Sequence, residues 1–275
     1  MKIAITDIGS NAIKYKIFDK ETFEIEEYVR EPLRLGTDVF TKGYISQLNI
    51  HALIELLNRY QKVFSQKNIK DTHYIATSAV RDANNKLEVV EALADNSIKL
   101  NIISGEEEAR LLSNFKTKVS KYAVVDIGGG SLEIFINDGE NQSSRSFQLG
   151  AVRLLNSDDQ WADEEIDKMK LWLSRFNDID VLYGLGGNLR SLFEVSGIQK
   201  SIPANQLDKI VSTFKTFSQT ELVERYSLPK DRADIAPVAA LLYQEISSKL
   251  NVKTIENSFW SISNGIFKKI INEIT

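Results

Sequence analysis

The chain has 275 residues, enough for two modest domains or one large one, and its 43% hydrophobic and 26% charged content is that of a globular protein. Its 38 acidic and 34 basic side chains leave a formal charge of −4, too balanced for wholesale capture of DNA or an anionic membrane, so an anionic ligand has to be held locally. There is no cysteine and there are only two histidines, His51 and His73, which excludes disulfides, thiolate metal sites, cysteine nucleophiles and a histidine cluster or triad.

Apolar patterning predicts strands over 2–6, 13–18, 23–30, 72–76, 99–103, 122–125, 133–136, 145–149 and 181–183. Asp7 interrupts any signal-peptide core, and the longest apolar run, near 239–242, falls far short of the ~18 residues a membrane span needs. The expectation is a cytoplasmic protein. Leu48, Leu53, Leu56, Leu57, Tyr60, Val63 and Phe64 mark one helix face; Ile210, Phe214 and Phe217, with the 222–226 segment, mark others. Strands and helices interleave, which gives the α/β class with mixed sheets.

Two stretches share one grammar: an apolar strand, an aspartate, an Ile-Gly turn with hydroxyl or amide side chains, then another strand. They run through Asp7-Ile8-Gly9-Ser10-Asn11 and Asp126-Ile127-Gly128-Gly129-Gly130-Ser131. This repeat suggests a duplicated unit, with domains over 1–118 and 119–275 and a last helix, about 264–275, returning to the first. In such a turn glycine lets backbone N–H groups converge on an oxyanion while serine and asparagine add donors. A plain glycine-rich hairpin is the alternative for either turn alone. The acid beside each turn would repel phosphate unless a hard, oxygen-ligated cation such as Mg²⁺ mediates. Tyr183-Gly184-Leu185-Gly186-Gly187-Asn188 forms a third such turn, before a helix. Arg81, Arg153 and Arg190 follow turns of this kind, each a phosphate fork or a surface ion pair.

Ser104-Gly105-Glu106-Glu107-Glu108 opens a helix with three acids that spacing separates. Ser104 and Glu107 match a capping box, and Glu106 sits four residues before Arg110 as an exposed pair. Glu108 has Leu111, Leu112 and Phe115 as its i+3, i+4 and i+7 neighbours, which turns its carboxylate inward. Desolvation there raises a carboxyl pKa, so Glu108 is a candidate general base for water; the alternative is three acids that only stabilise a helix N-terminus. Glu133 lies two residues after Ser131 on the same strand face. Asp126 and Glu133, with Asp7 facing them, form a candidate metal site, unless Glu133 simply occupies a solvated face.

In order along the chain, the Asp7–Asn11, Ala76–Arg81, Ile103–Arg110, Val125–Ser131, Leu149–Leu154 and Gly184–Gly187 blocks resemble the signatures of the exopolyphosphatase and guanosine pentaphosphate phosphohydrolase (Ppx/GppA) family. The resemblance spans roughly residues 1–195. It implies two ribonuclease-H-like domains of the actin, Hsp70 and sugar-kinase superfold flanking a cleft, and a Mg²⁺-dependent hydrolase removing terminal phosphate from polyphosphate or guanosine pentaphosphate. By the same resemblance Glu108 activates water, Asp126 and Glu133 bind Mg²⁺, and Arg81 with the turns clamps phosphate: Gly9, Ser10, Asn11, Thr77, Ser78, Gly128, Gly129, Gly130, Ser131, Gly187 and Asn188. A homodimer is a further implication. Ala12, Lys14, Leu132, Asn188 and the Ser261-Ile262-Ser263-Asn264-Gly265 stretch depart from the family pattern, and the extra C-terminal domains of long members have no counterpart, which points to a short groove. The departures favour, as the alternative function, a catalytically weak phosphate-binding or regulatory protein on the same scaffold. An ATP-dependent kinase fits the 103–110 block less well.

Overall fold

The structure is a computed structural model describing residues 1–274. Its first half runs β1 (Lys2–Ile8), β2 (Ala12–Asp19), β3 (Ile25–Pro32), α1 (Leu35–Lys42), α2 (Gln47–Gln66), β4 (Asp71–Ala76), α3 (Ser78–Asp82), α4 (Lys86–Ala94), β5 (Leu100–Ile102) and α5 (Gly105–Leu111). The second half runs β6 (Tyr122–Ile127), β7 (Leu132–Asn137), β8 (Gln142–Phe147), α6 (Ala151–Leu154), α7 (Asp159–Leu173), β9 (Val181–Gly184), α8 (Asn188–Val195), β10 (Ser201–Pro203), α9 (Leu207–Thr216), α10 (Gln219–Tyr226), α11 (Lys230–Ala233), α12 (Ala236–Lys249), β11 (Thr254–Asn257) and α13 (Ile262–Ile274).

Two mixed sheets result, ordered β3-β2-β1-β4-β5 and β10-β11-β9-β6-β7-β8. The repeat seen in the two hairpins extends to topology. β1 pairs antiparallel with β2 and parallel with β4, and β6 pairs antiparallel with β7 and parallel with β9. This is the two-sheet architecture of the actin-like superfold that the resemblance implies. The hairpin register sets Asp7 opposite Lys14 and Asp126 opposite Glu133.

β1 is buried on both faces, so its residues alternate between two cores. Ala4 and Ile8 pack with α2, whose Ile50, Leu53, Leu56, Leu57, Tyr60 and Phe64 recur at helical spacing. Ile3 and Ile5 face a middle core with Val124, Phe135 and Tyr183 of the second sheet, closed by Ile262, Ile266 and Phe267 of α13. α13 thus returns to the first sheet, with Phe267 stacked on Phe18 at 4.5 Å between centroids. Thr275, the last residue of the predicted helix, lies outside the described residues. Among those described, no helix is long and apolar enough to cross a membrane.

Several local expectations need correction. Leu48 is 79% exposed, because it sits in the first turn of α2 before the buried stripe begins at Ile50. β3 starts at Ile25, since Phe23 has φ 62° in a turn organised by Asp19 Oδ1, which accepts from the amides of Glu21 and Thr22. β8 covers 142–147, because Leu149 and Gly150 already leave the sheet to enter α6. β10 and β11, with three and four residues, were not foreseen.

Candidate active site

Four connections open onto one cavity of about 90 Å³: the β1–β2 turn, the β4–α3 junction, the β6–β7 turn and the β9–α8 turn. Gly9, Ser10, Asn11, Thr77, Ser78, Gly128, Gly129, Ser131, Gly187 and Asn188 line it, with Asp7, Glu108, Asp126 and Glu133. That volume is on the scale of a phosphoryl group with an ion. The turns reach each other because glycine allows it. A Cβ on Gly129 would meet Ser10 Cβ at 2.9 Å, and one on Gly150 would lie 2.3 Å from the backbone of Gly130 and Ser131. Gly186 has φ +71°, and a Cβ there would come to 3.2 Å from Asp126 Oδ1. Ser10 and Ser78 share a hydroxyl hydrogen bond of 2.8 Å.

Two residues expected to hold phosphate are not in the lining of the cavity. Gly130 is packed where a Cβ would strike Ser78 Oγ and Phe40, so it lets the two turns interlock and does not line the cavity. Arg81 is also absent from the lining: its Nη1 donates to Glu108 Oε1 at 2.5 Å and to the Ile103 carbonyl at 3.0 Å. The side-chain amides of two more are engaged in the fold. Asn188 Nδ2 donates to the Ile127 carbonyl at 2.7 Å, and Asn11 Nδ2 donates to the Asp231 carbonyl at 2.9 Å. Arg153 does not reach the cavity either. It pairs with Asp82, donates from Nε to the Gly130 carbonyl at 2.7 Å and stacks on Phe40.

On α5 the spacing argument separates the three acids as expected for Glu108, which is 5% exposed. The Ser104 hydroxyl accepts from the Glu107 amide at 3.1 Å, but the Glu107 carboxylate turns to Lys269 Nζ at 2.9 Å, so only half the capping box forms. Among the described residues no ion pair joins Glu106 to Arg110.

The carboxylates crowd one another. Burial pushes Glu108 well above the ordinary range, and the charge of Glu133 adds to it against the pull of Arg81. Glu133 is raised by burial and by Asp126, although Ser131 and Ser146 hydrogen bonds oppose this; Ser146 Oγ donates to Glu133 Oε1 at 2.8 Å. Asp126 is pushed up to about 6 by burial, with Lys14 opposing and Asp7 assisting. Among the described residues no three acidic or histidine side chains close into a metal cage. The Asp7 carboxylate instead has Lys14 Nζ at 3.4 Å. Asp126 and Glu133 remain paired across β6 and β7, an underneutralised oxygen-donor set that fits Mg²⁺, which takes one or two protein carboxylates plus substrate phosphate.

Sequence reasoning missed the cations of the rim. Arg30 and Arg232 line the cavity, and the Arg232 guanidinium lies against Gly187, donating to its carbonyl at 3.0 Å. A second cavity of about 230 Å³ adjoins, sharing Lys14, Gly186, Gly187 and Arg232 and adding Lys16, Arg190, Tyr28 and Phe259. No local signal marks either arginine: Arg30 meets Asp231, 201 residues away, and Arg232 meets Gly187 and Ser191, 45 and 41 residues away.

Two mixed sheets of matching topology, with glycine turns and buried carboxylates gathered at one cavity, have the actin-like fold. The sequence model of the Ppx/GppA phosphatase family matches residues 19–273, and the chain belongs to that family. It is 24% identical to exopolyphosphatase 1 of Mycobacterium tuberculosis, over 99% of this chain and 89% of that protein. It is 21% identical to the guanosine-5'-triphosphate,3'-diphosphate pyrophosphatase of Aliivibrio fischeri, over 98% of this chain and 59% of that protein. The crystal structure of an exopolyphosphatase from Cytophaga hutchinsonii superposes with a TM-score of 0.87 at 19% identity, covering 100% of this chain and 99% of that one.

Proposed function

We propose that this protein is a metal-dependent phosphohydrolase that releases the terminal phosphate of inorganic polyphosphate or of guanosine pentaphosphate. The observation that carries the reading is Glu108, a buried carboxylate with raised pKa that opens onto a cavity of one phosphoryl group's size among glycine turns. The names of the two relatives, an exopolyphosphatase and a guanosine pyrophosphatase, support the substrate class.

In this reading the turns at Gly9–Ser10 and Gly128–Gly129, with the hydroxyls of Thr77, Ser78 and Ser131, cradle the terminal phosphoryl oxygens. Arg81 holds one oxygen of Glu108, leaving the other to take a proton from water as its oxygen attacks phosphorus. The bond from phosphorus to the bridging oxygen breaks, and the shortened chain leaves with that oxygen. Asp126 and Glu133 would hold Mg²⁺, which supplies charge neutralisation at the transferring phosphoryl group. The rest of the polyanion extends past Lys14 toward Arg232 and Arg190, where the adjoining cavity has room for it. The halves on either side of residue 119 serve as two domains closing on substrate. Among the described residues no strand pairing joins the two sheets, which supports that division, while α13 crosses back from the second half onto β1.

A second reading, a regulatory phosphate-binding protein of weak activity, draws support from Asn11 and Asn188, whose side-chain amides are engaged in the fold. Phosphate release from polyphosphate and guanosine pentaphosphate, measured with Mg²⁺ and with excess chelator, separates the two. Mg²⁺-dependent release is expected; tight polyphosphate binding without turnover at any metal concentration overturns the hydrolase reading in favour of the second.

A further inference from the structure

The outer wall of the cleft is closed by ion pairs between residues about 200 positions apart. Arg34 grips Asp234 with both terminal nitrogens and donates from Nη2 to the Asp231 carbonyl at 2.8 Å. Arg34 Nε donates to Asn11 Oδ1 at 2.8 Å, and Asn11 Nδ2 donates to the Asp231 carbonyl at 2.9 Å and to Asp231 Oδ2 at 3.2 Å. The same Asp231 oxygen accepts from Arg30 Nη2. Arg30 and Asn11 line the catalytic cavity; Asp231, Arg34 and Asp234 do not. The side chains of Arg30 and Asp231 are only 15% and 17% exposed, so their charges are partly desolvated.

A guanidinium and an amide N–H converging on one carboxylate oxygen, at the edge of a cavity suited to phosphate, form a donor set that a phosphate oxygen would satisfy equally well. We propose that Arg30 and the Asn11 amide form an outer phosphate subsite, which Asp231 occupies as an internal anion until a phosphate of the substrate beyond the scissile bond displaces it. Asp231 then acts as a mask that sets the affinity for polyanions. Short ligands that reach only the glycine turns leave it seated. Those with a second or third phosphate compete with it for Arg30. The Arg34 pair with Asp234, outside the cavity and just past the end of α11, keeps that helix close when the mask lifts. This inference rests on the phosphohydrolase reading.

The test is calorimetric titration with inorganic tripolyphosphate in Mg²⁺, on the full chain carrying Glu108→Ala so that the ligand is not consumed. Asp231→Asn keeps the side chain's shape and removes the competing charge, and is expected to tighten binding about three- to tenfold. Adding Arg30→Gln to Asp231→Asn is expected to erase the gain. Asp234→Asn, which loosens the same segment without unmasking Arg30, should leave Kd within about twofold. Circular dichroism melts of each variant check folding, and Asp231→Ser serves as a second mask-free variant. Binding that Asp231→Asn weakens or leaves unchanged overturns the mask alone, as does a gain that survives Arg30→Gln or that Asp234→Asn reproduces. No binding by any variant, together with no phosphate release by the wild type, overturns the phosphohydrolase reading and the mask with it.

Discussion

Asp38 offers a sharp test of how the scaffold holds the first glycine turn. It lies on α1, whose Gly36 amide donates to the Ser10 carbonyl at 2.8 Å and whose Phe40 fills the space beside Gly130. The Asp38 carboxylate ties α1 to the start of α2: it accepts from the Ser46 amide at 3.0 Å, from the Ser46 hydroxyl and from Asn49 Nδ2 at 2.7 Å, and pairs with Lys42 Nζ at 2.9 Å. Burial alone would raise its pKa, but these donors outweigh burial and hold it at about 2, against 3.8 for a free aspartate. At ~1.36 kcal/mol per pKa unit the charge contributes about 2 kcal/mol at neutral pH. Because the folded value lies below the unfolded one, the contribution is complete above about pH 4 and fades as pH falls toward about 2. Asp38→Asn is therefore expected to lower the urea unfolding free energy by about 2 kcal/mol at pH 7, with the gap roughly halved at pH 3. A gap below about 0.5 kcal/mol at pH 7, or one as large at pH 3 as at pH 7, refutes the reasoning.

Two further outcomes follow from the cleft. Gly150→Ala places a methyl group 2.3 Å from backbone atoms of Gly130 and Ser131, which cannot rotate away. It should cost about 1–3 kcal/mol in unfolding experiments and reduce phosphate release, and an unaltered melting temperature would contradict the interlocked turns. Mg²⁺ added with inorganic phosphate should raise the melting temperature of the wild type through the crowded carboxylates, by about 2.7 kcal/mol of stabilisation at a hundredfold excess over Kd. Asp126→Asn should lose most of that protection; equal protection in the variant would place the ion elsewhere.

What was legible in the sequence depended on how local the signal was. Glu108 could be picked from three consecutive acids because i+3, i+4 and i+7 neighbours report a helix face directly, and the structure buries it. The paired hairpins were legible because strand, aspartate and glycine turn are contiguous. Arg81 was expected on phosphate because a fork after a Thr-Ser turn suggests it, yet its partner, Glu108, lies 27 residues away and no periodicity reports such a pair. Gly130 misled for a related reason: a run of three glycines reads as one cradle, whereas the third is there to admit Ser78 and Phe40. Arg30 and Arg34 meet Asp231 and Asp234 only once both sheets are assembled, and β10 and β11 are too short to impose a pattern.

The central claim is that Glu108 takes the proton from the attacking water. Phosphate release from polyphosphate and guanosine pentaphosphate in Mg²⁺, compared between wild type and Glu108→Ala, tests it most directly. The account predicts a fall in kcat of about 10²–10⁴-fold with the melting curve preserved. Wild-type turnover matched by the variant would contradict it.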